Sequence, residues 1–218
     1  MFLLTKSNPC SLDSFATSKH HALMSELERI VTQVEQANAQ HDMYRSWQPR
    51  HTGTINIRIA ADGCWFHEGR PFQRLSLVKL FAGILQRQGK DYFLSTPTEK
   101  LQIQVDDAPF VATLVETVIE DRQSAIVFTT NLGNRIIVDA DHPIWVETDP
   151  QTQIPRPYVH YRDGLHALIS RNAFFELTNL ATERKRDGKM YLIVNSLGHE
   201  FELGCAEPME YDPPSQHP

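Results

Sequence analysis

Ile55, Ile57 and Ile59 alternate with Asn56 and Arg58, and the chain then reads Ala60-Ala61-Asp62-Gly63. Alternation with a period of two marks a strand with one buried face. Asp-Gly signals a tight reversal, because a two-residue hairpin loop needs positive φ at both central positions. Together they constrain the fold more than any other stretch: an extended segment must turn here and pair with the residues after Gly63. Taken as a two-residue loop, the turn sets Ala61 opposite Cys64, Ala60 opposite Trp65, Ile59 opposite Phe66 and Arg58 opposite His67. Ile55, Ile57, Ile59, Ala61, Cys64 and Phe66 then form a core face, and Arg58, Trp65 and His67 share the other.

Around this hairpin the pattern is mixed. Leu23, Leu27, Ile30, Val34 and Ala37 recur at helical spacing and predict a packing helix over 18–40. A second helix is expected over 75–88, with Leu77, Val78, Phe81, Ile84 and Leu85 inward and Gly89 as its stop. Leu101, Ile103 and Val105 alternate after the turn residues Ser95-Thr96-Pro97-Thr98, the signature of another hairpin. The segments VATLVETVIE, AIVFTT, RIIVD and PIWVE, separated by turn clusters, read as an antiparallel meander. A last helix is expected over 171–186, and KMYLIVNSLGHEFELG closes the chain with a further hairpin.

Asp62 to Arg70 (DGCWFHEGR) and Asp163 to Arg171 (DGLHALISR) both open on Asp-Gly and close on Arg. Each comes after a strand and precedes a helix and a hairpin. This suggests an internal duplication. The expected fold is α+β: an N-terminal helix, then two related strand-turn-strand-helix-hairpin units, the second mostly antiparallel and barrel-like. The expected division is a helical arm over 1–46, a first unit over 47–117, a second over 118–205 and a tail over 206–218.

A formal net charge of −6 argues against binding extended nucleic acid, which relies on a broad basic face. No apolar run approaches the roughly 20 residues that cross a bilayer, and the short apolar stretch after Met1 does not make a secretory leader. A cytoplasmic location is expected. Cys10, Cys64 and Cys205 are scattered and form no CxxC pair, so neither a zinc cage nor a disulfide framework is expected. The hydrolase elbow, the phosphate-binding loop, the HExxH zinc motif and a dinucleotide fingerprint are absent. Neighbouring Asp106 and Asp107 point in opposite directions on an extended segment, so they cannot serve one substrate together. The DADHP run alone lacks the ligands for a metal.

The run DGCWFHEGRPFQRLSLVKLFAGILQRQGKDYFLSTPTEKLQIQVDDAPFVA, with TNLGNRIIVDADHPIWV and RPYVHYRDGLHALISR, resembles the bacterial domain of unknown function 1285 family. The similarity runs from about Trp47 to Leu203, and its specific elements are DG-W-H-G and TP-EK…VDDAPF. The resemblance implies a cytoplasmic protein of duplicated α/β units, the C-terminal one loosely like a pleckstrin-homology barrel. It brings no established reaction, and it suggests ligand sensing or signalling with a nucleotide-like ligand.

The residues themselves point to a binding module rather than an enzyme, with no cofactor. Trp65 offers an indole for stacking, with Arg58 and His67 beside it. Arg70 and Arg74 lie near the start of the second helix, where anions are favoured. Thr96, Glu99 and Lys100 present polar groups from one turn, and the second unit adds Tyr158, Arg162 and Arg171. An anionic, nucleotide-like small ligand between the units is therefore the expected partner. A hydrolase acting on a phosphorylated substrate, with His67 as general base, and a protein–protein adaptor with an open sheet edge are the alternatives.

Overall fold

The computed structural model describes residues 26–37, 47–120, 122–150 and 152–205. The ends of the expected first helix (18–25 and 38–40), most of the arm and the tail lie outside them. Within them, α1 is helical over 26–36 and buries Ile30 and Val34 in the core. Its Arg29 pairs with Glu99 at 3.0 Å.

The first sheet begins with β1 (His51–Ile59), β2 (Trp65–His67) and β3 (Arg70–Pro71), with α2 (Leu75–Gly83) next in the chain. It ends with β4 (Leu85–Gln88), β5 (Asp91–Ser95) and β6 (Glu99–Val105). The strand order is β3-β2-β1-β6-β5-β4. All its ladders are antiparallel except the central β1–β6 pair, which is parallel. The second sheet comprises β7 (Phe110–Glu120), β8 (Gln123–Thr130), β9 (Arg135–Ile137), β10 (Ile144–Thr148), β11 (Pro155–Arg162) and β12 (Leu165–Ile169). Its order is β10-β11-β12-β7-β8-β9, and only the central β12–β7 pair is parallel.

Each sheet is thus a pair of three-stranded meanders, the first strand of one lying parallel to the last strand of the other. The protein is mixed α/β and mostly sheet, and its two six-stranded sheets form a duplicated arrangement. The topology repeats with β1–β6 matching β7–β12, so the hairpin around Asp163 stands where β5–β6 stands in the first sheet. The similarity of the two Asp-Gly segments in element order is therefore out of phase with the repeat of the sheets. The expected division at 117/118 falls within β7.

After α3 (Arg171–Asn179), strands β13 (Thr182–Arg186), β14 (Lys189–Ser196) and β15 (His199–Cys205) form a separate three-stranded sheet. It docks through buried Ser196, whose hydroxyl accepts the Ile126 N–H at 2.8 Å and donates to the Val138 carbonyl at 2.6 Å. One continuous core links the elements, with Ile57, Phe81 and Leu94 from the first half and Phe110, Phe128 and Leu165 from the second.

Two expected helices are shorter than their apolar spacing suggests. Residues 85–88 are β4 rather than a third turn of α2, and Gly89 (φ +61°) makes the hairpin to β5 instead of ending a helix. Residues 182–186 are β13, on which every residue is exposed. Beyond Leu85 neither segment carries an apolar pattern of its own, and the pairing available in the sheet decided.

The first hairpin also differs from its expected register. The loop has three residues, with Gly63 N–H bonded to the Ala60 carbonyl and Ala60 N–H to the Cys64 carbonyl, both at 2.9 Å. This is a turn that ends in a left-handed glycine (Gly63, φ +81°), the common three-residue alternative to the two-residue loop. Ile59 then faces Trp65, Arg58 faces Phe66 and Ile57 faces His67. A slip of one residue moves every side chain to the other face, so Trp65 joins the core at 3% exposure.

The same turn meets the second sheet. Asn131 Nδ2 donates to the Gly63 carbonyl at 3.3 Å, and a Cβ at Gly63 would lie 2.6 Å from that nitrogen and 3.0 Å from Val111 Cγ2. Gly63→Ala should therefore cost about 2–4 kcal/mol, combining left-handed strain with overpacking. Gly69→Ala has a similar φ (+74°) but nothing within 4 Å, and it should cost only about 1 kcal/mol. Urea denaturation of the two variants measures the difference, and equal midpoints would contradict this packing.

Candidate functional site

On β10, β11 and β12 the register places Trp145 opposite Tyr158, Glu147 opposite Arg156, Tyr158 opposite Leu168 and His160 opposite His166. Directly paired residues share a face. These polar and aromatic side chains therefore occupy the side of the sheet opposite Val159, Ala167 and Ile169, which are in the core. Trp145 stacks on Tyr158 (centroids 5.5 Å, planes 24° apart), and both meet the His166 ring near edge-on at 5.6 and 5.3 Å. The indole N–H donates to Glu147 Oε1 at 3.0 Å.

The first sheet supplies the facing wall. Arg87 leaves β4, lies over the Tyr92 ring at 5.6 Å, and donates to the Gly164 carbonyl at 3.0 Å and to His166 Nδ1 at 3.2 Å. Asp107, just beyond β6, accepts hydrogen bonds from the Tyr158 hydroxyl at 2.8 Å and from Arg156. Between the walls lies a cavity of about 320 Å³, which Lys90 and Val105 also line.

The bonding fixes protonation states. An arginine N–H can only donate, so His166 Nδ1 carries the lone pair and Nε2 the hydrogen. Burial, and then the Arg87 charge, hold the His166 pKa below its usual value. Burial, and then the hydrogen bond to Asp107, push the Tyr158 phenol up to about 12, so it remains a donor throughout the neutral range.

Of the side chains singled out from the sequence, Tyr158 lines this cavity and the others lie elsewhere. Arg58 is on the outer face, where its Nε donates to Asp106 Oδ1 at 2.9 Å and the guanidinium sits 5.9 Å from the Phe66 ring. That hydrogen bond holds the Asp106 carboxyl below the usual range. Asp106 and Asp107 engage different partners, from a bend just after β6 rather than from the expected extended segment. Trp65 packs edge-on against Phe72 at 6.5 Å, and half-buried His67 lies 6.2 Å from the same ring.

Arg70 and Arg74 are exposed, and Arg74 makes no side-chain cap bond to α2. The Thr96 hydroxyl accepts the Glu99 N–H at 3.0 Å and staples the turn, while Glu99 holds Arg29. Lys100 lies 4.1 Å from the Phe93 ring and donates to Gln88. Arg162 donates to the Ala82 carbonyl at 2.8 Å, and Arg171 is exposed at the start of α3. Arg162 lines a small pocket beside α2 that does not include Trp65, so the expected meeting of those two side chains does not occur there. No three His, Cys, Asp or Glu side chains among the described residues converge as metal ligands.

Sequence patterning did not single out Arg87, Lys90, Tyr92, Trp145, Glu147 or His166 as site residues. A signal did exist. Polar or aromatic residues occupy alternate positions on three short strands, at Trp145 and Glu147, at Arg156 and Tyr158, and at His166.

A lowered pKa in the fold means that the His166 contribution to stability is fully present above the unfolded value of about 6.5 and is lost as pH falls below it. His166→Phe should therefore flatten the pH dependence of the denaturation midpoint between about pH 7.5 and 5. Wild type and variant losing stability in parallel over that window would contradict the assignment.

Family models match the chain over two adjoining stretches. The N-terminal domain of unknown function DUF1285 covers 44–108, and the C-terminal domain of the same protein family of unknown function covers 109–203. Their junction falls between the two sheets. No curated protein matches the chain. The crystal structure of a DUF1285 family protein from Silicibacter pomeroyi DSS-3 is 41% identical, with a TM-score of 0.68, and the match covers 75% of this chain and 87% of that one. A second DUF1285 family protein, from Shewanella baltica OS155, is 26% identical with a TM-score of 0.46, over 56% of this chain and 90% of the other. The chain, with the two halves of its sheet architecture matched in order, belongs to the DUF1285 family.

Proposed function

We propose that this protein is a non-enzymatic binding module for a small anionic ligand carrying a flat ring, held in the cavity between the two sheets. The carrying observation is that both sheets contribute to one cavity with an aromatic wall and cationic groups. Trp145 and Tyr158 take the stacking role that the sequence assigned to Trp65. The Asp107 charge is offset by Arg156, and Glu147 is engaged by the Trp145 indole. Lys90 has no ion pair or hydrogen bond to described residues and is free to meet an anion alongside Arg87. A volume of about 320 Å³ lies at the small end of ligand pockets and suits a mononucleotide-sized molecule.

The lining argues for binding over hydrolysis. Among the described residues it contains no Ser, Thr or Cys nucleophile, and His166 offers an N–H at Nε2 while Arg87 occupies its Nδ1. His67, the expected general base of the hydrolase alternative, packs against Phe72 and is not part of this wall. A part in signal transduction, a loose pleckstrin-homology likeness of the C-terminal half and a cytoplasmic location complete this reading.

Thermal-shift measurements with a panel of nucleoside monophosphates test it. A ligand at about 100 times its Kd adds about 2.7 kcal/mol of stability, and Trp145→Ala and Lys90→Glu should each remove most of that gain. No stabilisation by any member of the panel, or stabilisation of both variants as large as that of wild type, would refute the reading.

A further inference from the structure

A second cavity, of about 540 Å³, opens where the chain enters β11 and α3 covers the end of β12. Its walls are apolar, with Ile154, Pro157, Leu168 and Phe174 contributing, and its charged lining residues are Arg156 and Arg171. Among the described residues no carboxylate lines it. The two cations differ in availability. Arg156 is oriented by Asp107 and by the Tyr158 hydroxyl, to which its Nε donates at 3.1 Å. Arg171 has no ion pair or hydrogen bond to described residues. Ile154 leaves 60% of its surface exposed beside this trough. We propose that this cavity binds a free amphipathic carboxylate of medium chain length, with the chain on the apolar wall and the carboxylate on Arg171.

Three features favour that occupant. The volume is in the ordinary range for a small organic ligand, and an apolar lining with few polar groups is the usual composition of such pockets. Prolines at 155 and 157 have fixed φ, which reduces the backbone freedom the entry wall would lose on binding. Strands β11 and β12 are interior strands with neighbours on both sides, and their backbone cannot recruit a peptide as an added strand. One guanidinium without a described partner, set on an apolar trough, matches a single anionic head with an aliphatic tail, whereas a nucleotide would find no stacked aromatic pair there.

Calorimetric titration of the full chain with octanoate, decanoate and dodecanoate below their micelle concentrations tests this. Affinity should rise about three- to fourfold per added methylene, and octanol should bind at least tenfold more weakly than octanoate. Arg171→Glu and Ile154→Glu, both at exposed positions that should not disturb folding, should each weaken decanoate tenfold or more. Trp145→Ala should leave it unchanged, which separates this site from the cavity between the sheets. The proposal fails if no chain length gives saturable binding, if acetate binds as well as decanoate, or if both glutamate variants bind like wild type. Binding only to vesicles containing anionic lipid would overturn it in favour of a surface contact.

Discussion

Two arginines cross the seam between the sheets in opposite directions. Arg162, at the end of β11, donates to the Ala82 carbonyl in the last turn of α2, and Arg87 from β4 donates to the Gly164 carbonyl in the β11–β12 turn. Charge-assisted hydrogen bonds of this kind contribute about 1.5–3 kcal/mol each when they are sheltered. They also specify geometry, because a guanidinium requires its acceptors in fixed directions. The Asp163-Gly164 turn is thereby held at the junction. Positive φ at Asp163 (48°) and Gly164 (75°) closes it tightly enough to fit there.

The cavity between the sheets is a consequence of that clasp. Once Arg87 is committed to Gly164 and His166, its aliphatic stem and guanidinium form one wall, and the aromatic residues of β10 and β11 form the other. Asp107 closes the arrangement by holding Arg156 and Tyr158, so the stacked pair of Trp145 and Tyr158 is supported from behind. A site whose side chains are held by second partners loses little conformational freedom when a ligand arrives.

Much of the chain was legible from pattern alone. Alternation at Ile55, Ile57 and Ile59 located a buried strand face, and turn chemistry placed the hairpins at Ser95–Glu99 and around Leu197-Gly198. Family membership was legible in the DG-W-H-G and TP-EK…VDDAPF elements. The candidate site was legible only in part. Tyr158 was singled out as a ligand contact, but Arg87 and Tyr92 on the facing wall come from β4 and β5, which lie far from it in sequence. The position of Trp65 turned on the length of one loop. Asp-Gly fits both a two-residue and a three-residue hairpin, and the indole belongs to opposite faces in the two cases.

What the sequence by itself determined is the local grammar: where strands alternate, where the chain must reverse, and which apolar positions have to be covered. These depend on neighbouring side chains and on backbone sterics, which act over a few residues. Only the tertiary structure decided that 85–88 and 182–186 extend as strands, that Gly63 abuts Asn131, and that Arg87 meets His166. Those outcomes depend on which distant segment offers unpaired backbone or a complementary acceptor, and no local pattern carries that information.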